Sequence, residues 1–103
     1  MRPPDAGGEP AGVQLTHAAA RDLDALPTPA REQVLADIQS LERAPLGAPP
    51  RIKRLKGFGL VLYRLRSGDY RVLYRLDDGG VTVMRVIDRK DLTRSLLRLR
   101  GAS

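Results

Sequence analysis

The chain has 103 residues and no cysteine, which leaves room for one small domain and removes disulfides, thiolate metal sites and thiol nucleophiles. Hydrophobic residues make up 42% and charged residues 29%, enough for a modest core, and no apolar run approaches the roughly 18 residues that span a bilayer. The net charge of +6 is unevenly placed: the first 50 residues carry four basic and seven acidic groups and the remainder fourteen and five, so an anionic partner belongs to the second half.

Residues 1–12 are rich in Pro, Gly and Ala without periodicity and read as a flexible leader without a signal-peptide core, ahead of one domain over 13–103 in a soluble, cytoplasmic protein. Val13 and Leu15 alternate with Gln14 as a short strand. Thr16 is a candidate N-cap for a helix to about Leu26, with Ala19, Leu23 and Leu26 on one face. Thr28, followed by Pro29, predicts a second N-cap. Ala30, Val34, Ile38 and Leu41 then recur at helical spacing until about Arg43, before Pro45. The two helices form a hairpin whose apolar faces need a sheet.

Residues 44–50 read as a loop, after which the period changes to two. The stretches 60–66, 70–76 and 81–87 predict three strands, joined by turns at Ser67-Gly68-Asp69 and Asp77-Asp78-Gly79-Gly80. Leu92, Leu96 and Leu99 predict a short helix over 91–100, closed by Gly101. The expected fold is α+β: a small antiparallel sheet in β-α-α-β-β-β order, a helical hairpin on one face, and a short C-terminal helix.

Residues two apart on a strand share a face, so Arg64 and Arg66 point together, away from Val61, Tyr63 and Leu65. Arg71 and Arg75 likewise point away from Val72, Tyr74 and Leu76, and Arg85 lies on the third strand. With the hairpin on the valine and tyrosine face, the five arginines are expected to form one outward basic surface. The ordinary alternative is the solvent face of a one-sided sheet. Arginine alone, with few acidic neighbours, favours phosphate recognition, because its planar fork binds phosphate in a bidentate manner. Arg51, Lys53, Arg54 and Lys56 before the strands, and Arg89 and Lys90 after them, would rim that surface. Arg94, Arg98 and Arg100 read as charges at the C-terminal end of a helix.

One histidine and no cysteine build no standard zinc centre, and no calcium-loop or Walker-type motif is present, so neither metal nor cofactor is expected. His17 reads as a surface residue, Asp77 and Asp78 as turn formers, and Gly57 and Gly59 around Phe58 as a tight approach to a strand.

Four stretches carry a family resemblance: Arg54-Leu55-Lys56-Gly57, Leu62-Tyr63-Arg64-Leu65-Arg66, Gly68-Asp69-Tyr70-Arg71-Val72-Leu73-Tyr74, and Val86-Ile87-Asp88-Arg89-Lys90-Asp91. In this order and spacing, over about residues 13–95, the chain resembles the RelE/ParE superfamily of bacterial toxins. The resemblance implies a RelE-like, microbial ribonuclease-type fold and a type II toxin that cleaves messenger RNA on the ribosome, blocking translation, by attack of the substrate's 2′-hydroxyl.

On that resemblance Arg71 holds the scissile phosphate, Arg64 adds a second cation, Arg89 serves the leaving group and Lys56 is the candidate base, since guanidinium stays protonated. Lys53, Arg54, Arg66, Arg75, Arg85 and Lys90 would contact RNA. The implied partners are a cognate antitoxin protein, the ribosome and mRNA. Two positions differ from many ribonuclease members: Leu62 stands where they carry lysine, and Thr93 and Ser95 where they carry a tyrosine. A ParE-like toxin inhibiting DNA gyrase by protein binding, or a degenerate relative that only binds antitoxin, is the alternative.

Overall fold

The structure, a computed structural model, describes residues 12–45, 51–55, 61–77 and 80–102, the last four without their side chains. The leader, most of the proline-rich loop, Lys56 to Leu60 with Gly57, Phe58 and Gly59, and Asp78 and Gly79 in the second turn lie outside the described residues.

β1 (Gly12–Leu15) passes directly into α1 (His17–Asp24), and Thr16 makes the transition. Its N–H continues the sheet to Val83 O at 3.0 Å, its hydroxyl donates to Met84 O at 2.8 Å, and the same oxygen accepts the Ala19 N–H at 3.1 Å. The expected N-cap is thus present, and it also ties the helix to the sheet. α2 (Thr28–Ser40) already includes its predicted cap: the N-cap is Pro27, one residue earlier, with no side-chain cap bond. The Thr28 hydroxyl accepts instead from the Arg31 guanidinium at 3.3 Å.

The remaining strands are β2 (Ile52–Leu55), β3 (Leu62–Ser67), β4 (Tyr70–Asp77) and β5 (Gly80–Asp88). They lie in the order β1-β5-β4-β3-β2, antiparallel except for β1, which runs parallel to β5. Two expectations are corrected here. The sheet is mixed, because period-two patterning marks residues 13–15 as extended without saying which strand they join or in which direction. The basic run around Lys53 is an edge strand: Ile52 is buried against Leu65 while Lys53 and Arg54 are exposed, an arrangement common on sheet edges.

The α+β architecture is otherwise the one expected. Ala19 and Leu23 of α1, and Val34, Ile38 and Leu41 in and after α2, pack on Ile52, Leu65, Val72, Tyr74, Val81, Val83 and Val86. Met84 has no partner on β4, where the register steps from Leu73–Arg85 to Tyr74–Val83. This bulge brings Val81, Val83 and Val86 to one core face although 83 and 86 differ in parity. After β5 a 3-10 turn (Arg89–Asp91), capped by Asp88 through the Lys90 N–H at 2.8 Å, leads into α3 (Leu92–Ala102), which returns against β5. Among the described residues no helix is long and apolar enough to cross a membrane.

Candidate active site

Cross-strand partners in an antiparallel pair share a face, so the register decides which arginines can act together. Arg66 is opposite Arg71, Arg64 is opposite Leu73 on β4 and Lys53 on β2, and Arg71 is also opposite Ile87 on β5. These side chains lie on the face turned away from the core that packs under α1 and α2. That face is not uniformly polar, since Leu62, Leu73 and Ile87 are buried on it.

The Arg71 guanidinium is fixed locally: Nη1 donates to Gly68 O and to Tyr70 O, both at 2.9 Å. Its pKa is lowered, first by partial burial and then by Arg64, Arg66 and Arg89, with Asp69 opposing. Arg64, Arg66 and Arg89 therefore each stand close enough to Arg71 to disfavour its charge. Arg89 arrives from β5 through its backbone, whose N–H donates to Asp69 O at 2.9 Å. Its ion pair with Asp69 is long, 3.9 Å, between exposed groups and correspondingly weak. Among the described residues Arg64, Arg66 and Arg71 have no carboxylate partner. Arg64 Nε is buried without a hydrogen-bond partner among them.

The single surface of five strand arginines does not form. Arg85, beside the bulge, is taken by Asp22 of α1: Nε reaches Oδ2 at 2.7 Å and Nη2 reaches Oδ1 at 3.1 Å. This contact, opposed by partial burial, raises the Arg85 pKa. Arg75 lies at the far end of β4, paired with Asp77 at 3.1 Å, and Thr82 donates to the same carboxylate at 2.5 Å. The Asp77 pKa is lowered, mainly by the Thr82 hydroxyl and then by Arg75, against a desolvation penalty. Arg54 is opposite Tyr63 and so belongs to the other side of the sheet. Lys53, next to Arg64, and Lys90, next to Arg89, are exposed. Lys56 lies outside the described residues, and His17 is an exposed residue at the start of α1.

Clustered guanidinium groups with unused donors suit a phosphate group and the extra negative charge that develops on it during transfer. Among the described residues no group of His, Cys, Asp or Glu could hold a metal ion. The Asp22 contacts with Arg85 and Val86 and the Asp37–Ser67 hydrogen bond carry no signal in the sequence, because these partners lie 30 to 64 residues apart.

The family described as ParE toxin of type II toxin-antitoxin system, parDE, matches residues 13–93. The chain belongs to this toxin family. Its fold is similar to the archaeal RelE-RelB complex from Pyrococcus horikoshii OT3, at 28% identity over 79% of this chain and 97% of that one, with a TM-score of 0.64. The toxin-antitoxin complex RelBE2 from Mycobacterium tuberculosis is 31% identical over 79% of this chain and all (100%) of that one, with a TM-score of 0.61. The chromosomal ParDE system of P. aeruginosa, 14% identical over 76% of this chain and 95% of that one with a TM-score of 0.53, shares the fold. No curated protein matches the chain. The resemblance to the RelE/ParE superfamily thus holds for this toxin family member, across both of its named branches.

Proposed function

We propose that this type II toxin is a ribosome-dependent endoribonuclease that cleaves messenger RNA in the cytoplasm and stops translation. The reading is carried by Arg64, Arg66 and Arg71, which share one face of the sheet without a carboxylate partner among the described residues, and by Arg89, which joins them from the turn after β5 and lowers the Arg71 pKa. In such a reaction the substrate's 2′-oxygen bonds to the adjacent phosphorus, the 5′-oxygen leaves, and the products are a 2′,3′-cyclic phosphate and a 5′-hydroxyl. Negative charge on the non-bridging oxygens peaks between bond making and bond breaking, and this is the charge that Arg71 and Arg64 stabilise. Arg89 stabilises the departing 5′-oxygen, which takes its proton from water to become the 5′-hydroxyl. Lys56, which lies outside the described residues, is the candidate acceptor of the 2′-hydroxyl proton. Lys53, Arg66 and Lys90 track the flanking RNA backbone.

A cognate antitoxin is the expected protein partner, by likeness to the RelE-RelB and RelBE2 complexes. Inhibition of DNA gyrase by protein contacts is the second reading, favoured by the ParE family match and by Leu62, which stands where the resemblance puts a lysine in many ribonuclease members. One experiment separates them. Induced expression of wild type beside Arg71→Ala, with messenger integrity and plasmid supercoiling both followed, should give cleaved messenger only for wild type and only when ribosomes are present. Rate loss in the variant should be about a hundredfold or more. Intact messenger with toxicity and failed supercoiling in both proteins sinks the nuclease reading and supports the gyrase one.

A further inference from the structure

The turn joining β3 to β4 is held from the opposite side of the sheet. Ser67, the last residue of β3, is 2% exposed, and its hydroxyl donates to Asp37 Oδ2 of α2 at 2.6 Å. Gln33 Nε2 donates to the same oxygen at 3.2 Å, and the Arg51 guanidinium pairs with Oδ1. The Asp37 side chain is 14% exposed, so it is largely withdrawn from water and all of these donors are directed onto it. Through its backbone carbonyl, Arg51 also accepts the Arg66 N–H at 2.8 Å. One carboxylate thus grips the end of β3 twice, at Ser67 directly and at Arg66 by way of Arg51.

What this grip steadies is the frame of the arginine cluster. Gly68 O, one residue beyond Ser67, and Tyr70 O, its cross-strand partner, hold the Arg71 guanidinium. Asp69 O holds the Arg89 backbone. Arg66 precedes Ser67 and projects to the other face, opposite Arg71. Three mutually repelling guanidinium groups therefore depend on a four-residue segment, 67–70, whose anchor lies under the sheet. We infer that Asp37 and Ser67 are positioning residues for the arginine cluster, acting through the Ser67–Tyr70 turn. The inference rests on the reading of that cluster as an anion site.

The test uses the full chain, inorganic pyrophosphate as the anionic probe, and arginine side-chain NMR. Ser67→Ala and Asp37→Asn are compared with wild type, with Arg71→Ala, and with Asp22→Asn, which weakens a carboxylate anchor of similar burial whose partners, Arg85 and Val86, lie outside the turn. Wild type should bind pyrophosphate and show a slowly exchanging Arg71 guanidinium. Ser67→Ala and Asp37→Asn, at temperatures where they are folded, should bind about tenfold more weakly and show an averaged Arg71 signal. Asp22→Asn should lower the melting temperature and alter neither. If Ser67→Ala and Asp37→Asn keep wild-type affinity and the wild-type Arg71 signal, the positioning role is overturned, whatever their stability. If wild type binds no pyrophosphate yet the Arg71 signal collapses in both variants, the positioning role stands and the anion-site reading fails.

Discussion

Arg66 and Arg71 face each other directly across β3 and β4, two cations on a register position where opposite charges or apolar pairs normally meet. Burial and the neighbouring Arg64 and Arg89 add to the disfavour for charge on Arg71. Like charges in this position cost a few tenths to about 1 kcal/mol, so the folded protein carries repulsion that an anion bound between them would relieve. Arg66→Gln should therefore raise the urea midpoint slightly while weakening RNA binding and lowering the salt dependence by about one unit of slope. A variant that is less stable and binds RNA as before would contradict this account.

Asp22 satisfies two partners at once, the Arg85 fork and the Val86 N–H at 2.9 Å on the part of β5 beyond the reach of β1. It thereby docks α1 and caps a backbone donor on the sheet edge. Asp22→Ala should destabilise by about 1 to 2 kcal/mol, chiefly from the orphaned N–H, since Arg85 is 42% exposed and solvent screens its charge. Asp22→Asn, which retains an acceptor oxygen, should recover about half of that loss in equilibrium denaturation.

Tyr74 is fully buried at 0% exposure, stacks on Tyr63 at 5.5 Å and donates its hydroxyl to Pro45 O. Burial, with a smaller contribution from Tyr63, pushes its pKa from 10.0 up to about 12. A raised folded-state pKa means stability that is fully present below pH 10 and lost as pH rises toward 12, because the unfolded chain releases the phenolic proton first. Absorbance titration should show one of the three tyrosines ionising late, together with unfolding. In Tyr74→Phe this alkaline loss should flatten, with a lower stability at neutral pH.

Gly68 has φ of +57°, the left-handed region, and a Cβ placed there would meet nothing within 4 Å. The need for glycine is thus conformational and not steric. Gly68→Ala should cost about 1 kcal/mol, and Gly68→Asn less, since asparagine tolerates the left-handed region. Both are read from thermal midpoints. Equal losses for the two variants would point to a packing role instead.

The strand alternation around Arg64, Arg66 and Arg71, the helical spacing of Ala19, Leu23, Val34 and Ile38, and the capping role of Thr16 were all legible in the chain, because each depends on residues within a turn or two of one another. The family motifs, read in order, were legible for the same reason. Tertiary structure alone decided that Arg85 would be neutralised by Asp22, 63 positions away, that β1 would join β5 in parallel, and that a bulge at Met84 would bring Val83 and Val86 to one side. It also decided that Asp37 would hold the turn carrying the arginine site. Periodicity reports which face a side chain takes on its own element, whereas the partner that charge finds there is set by distances between elements, which no local spacing encodes.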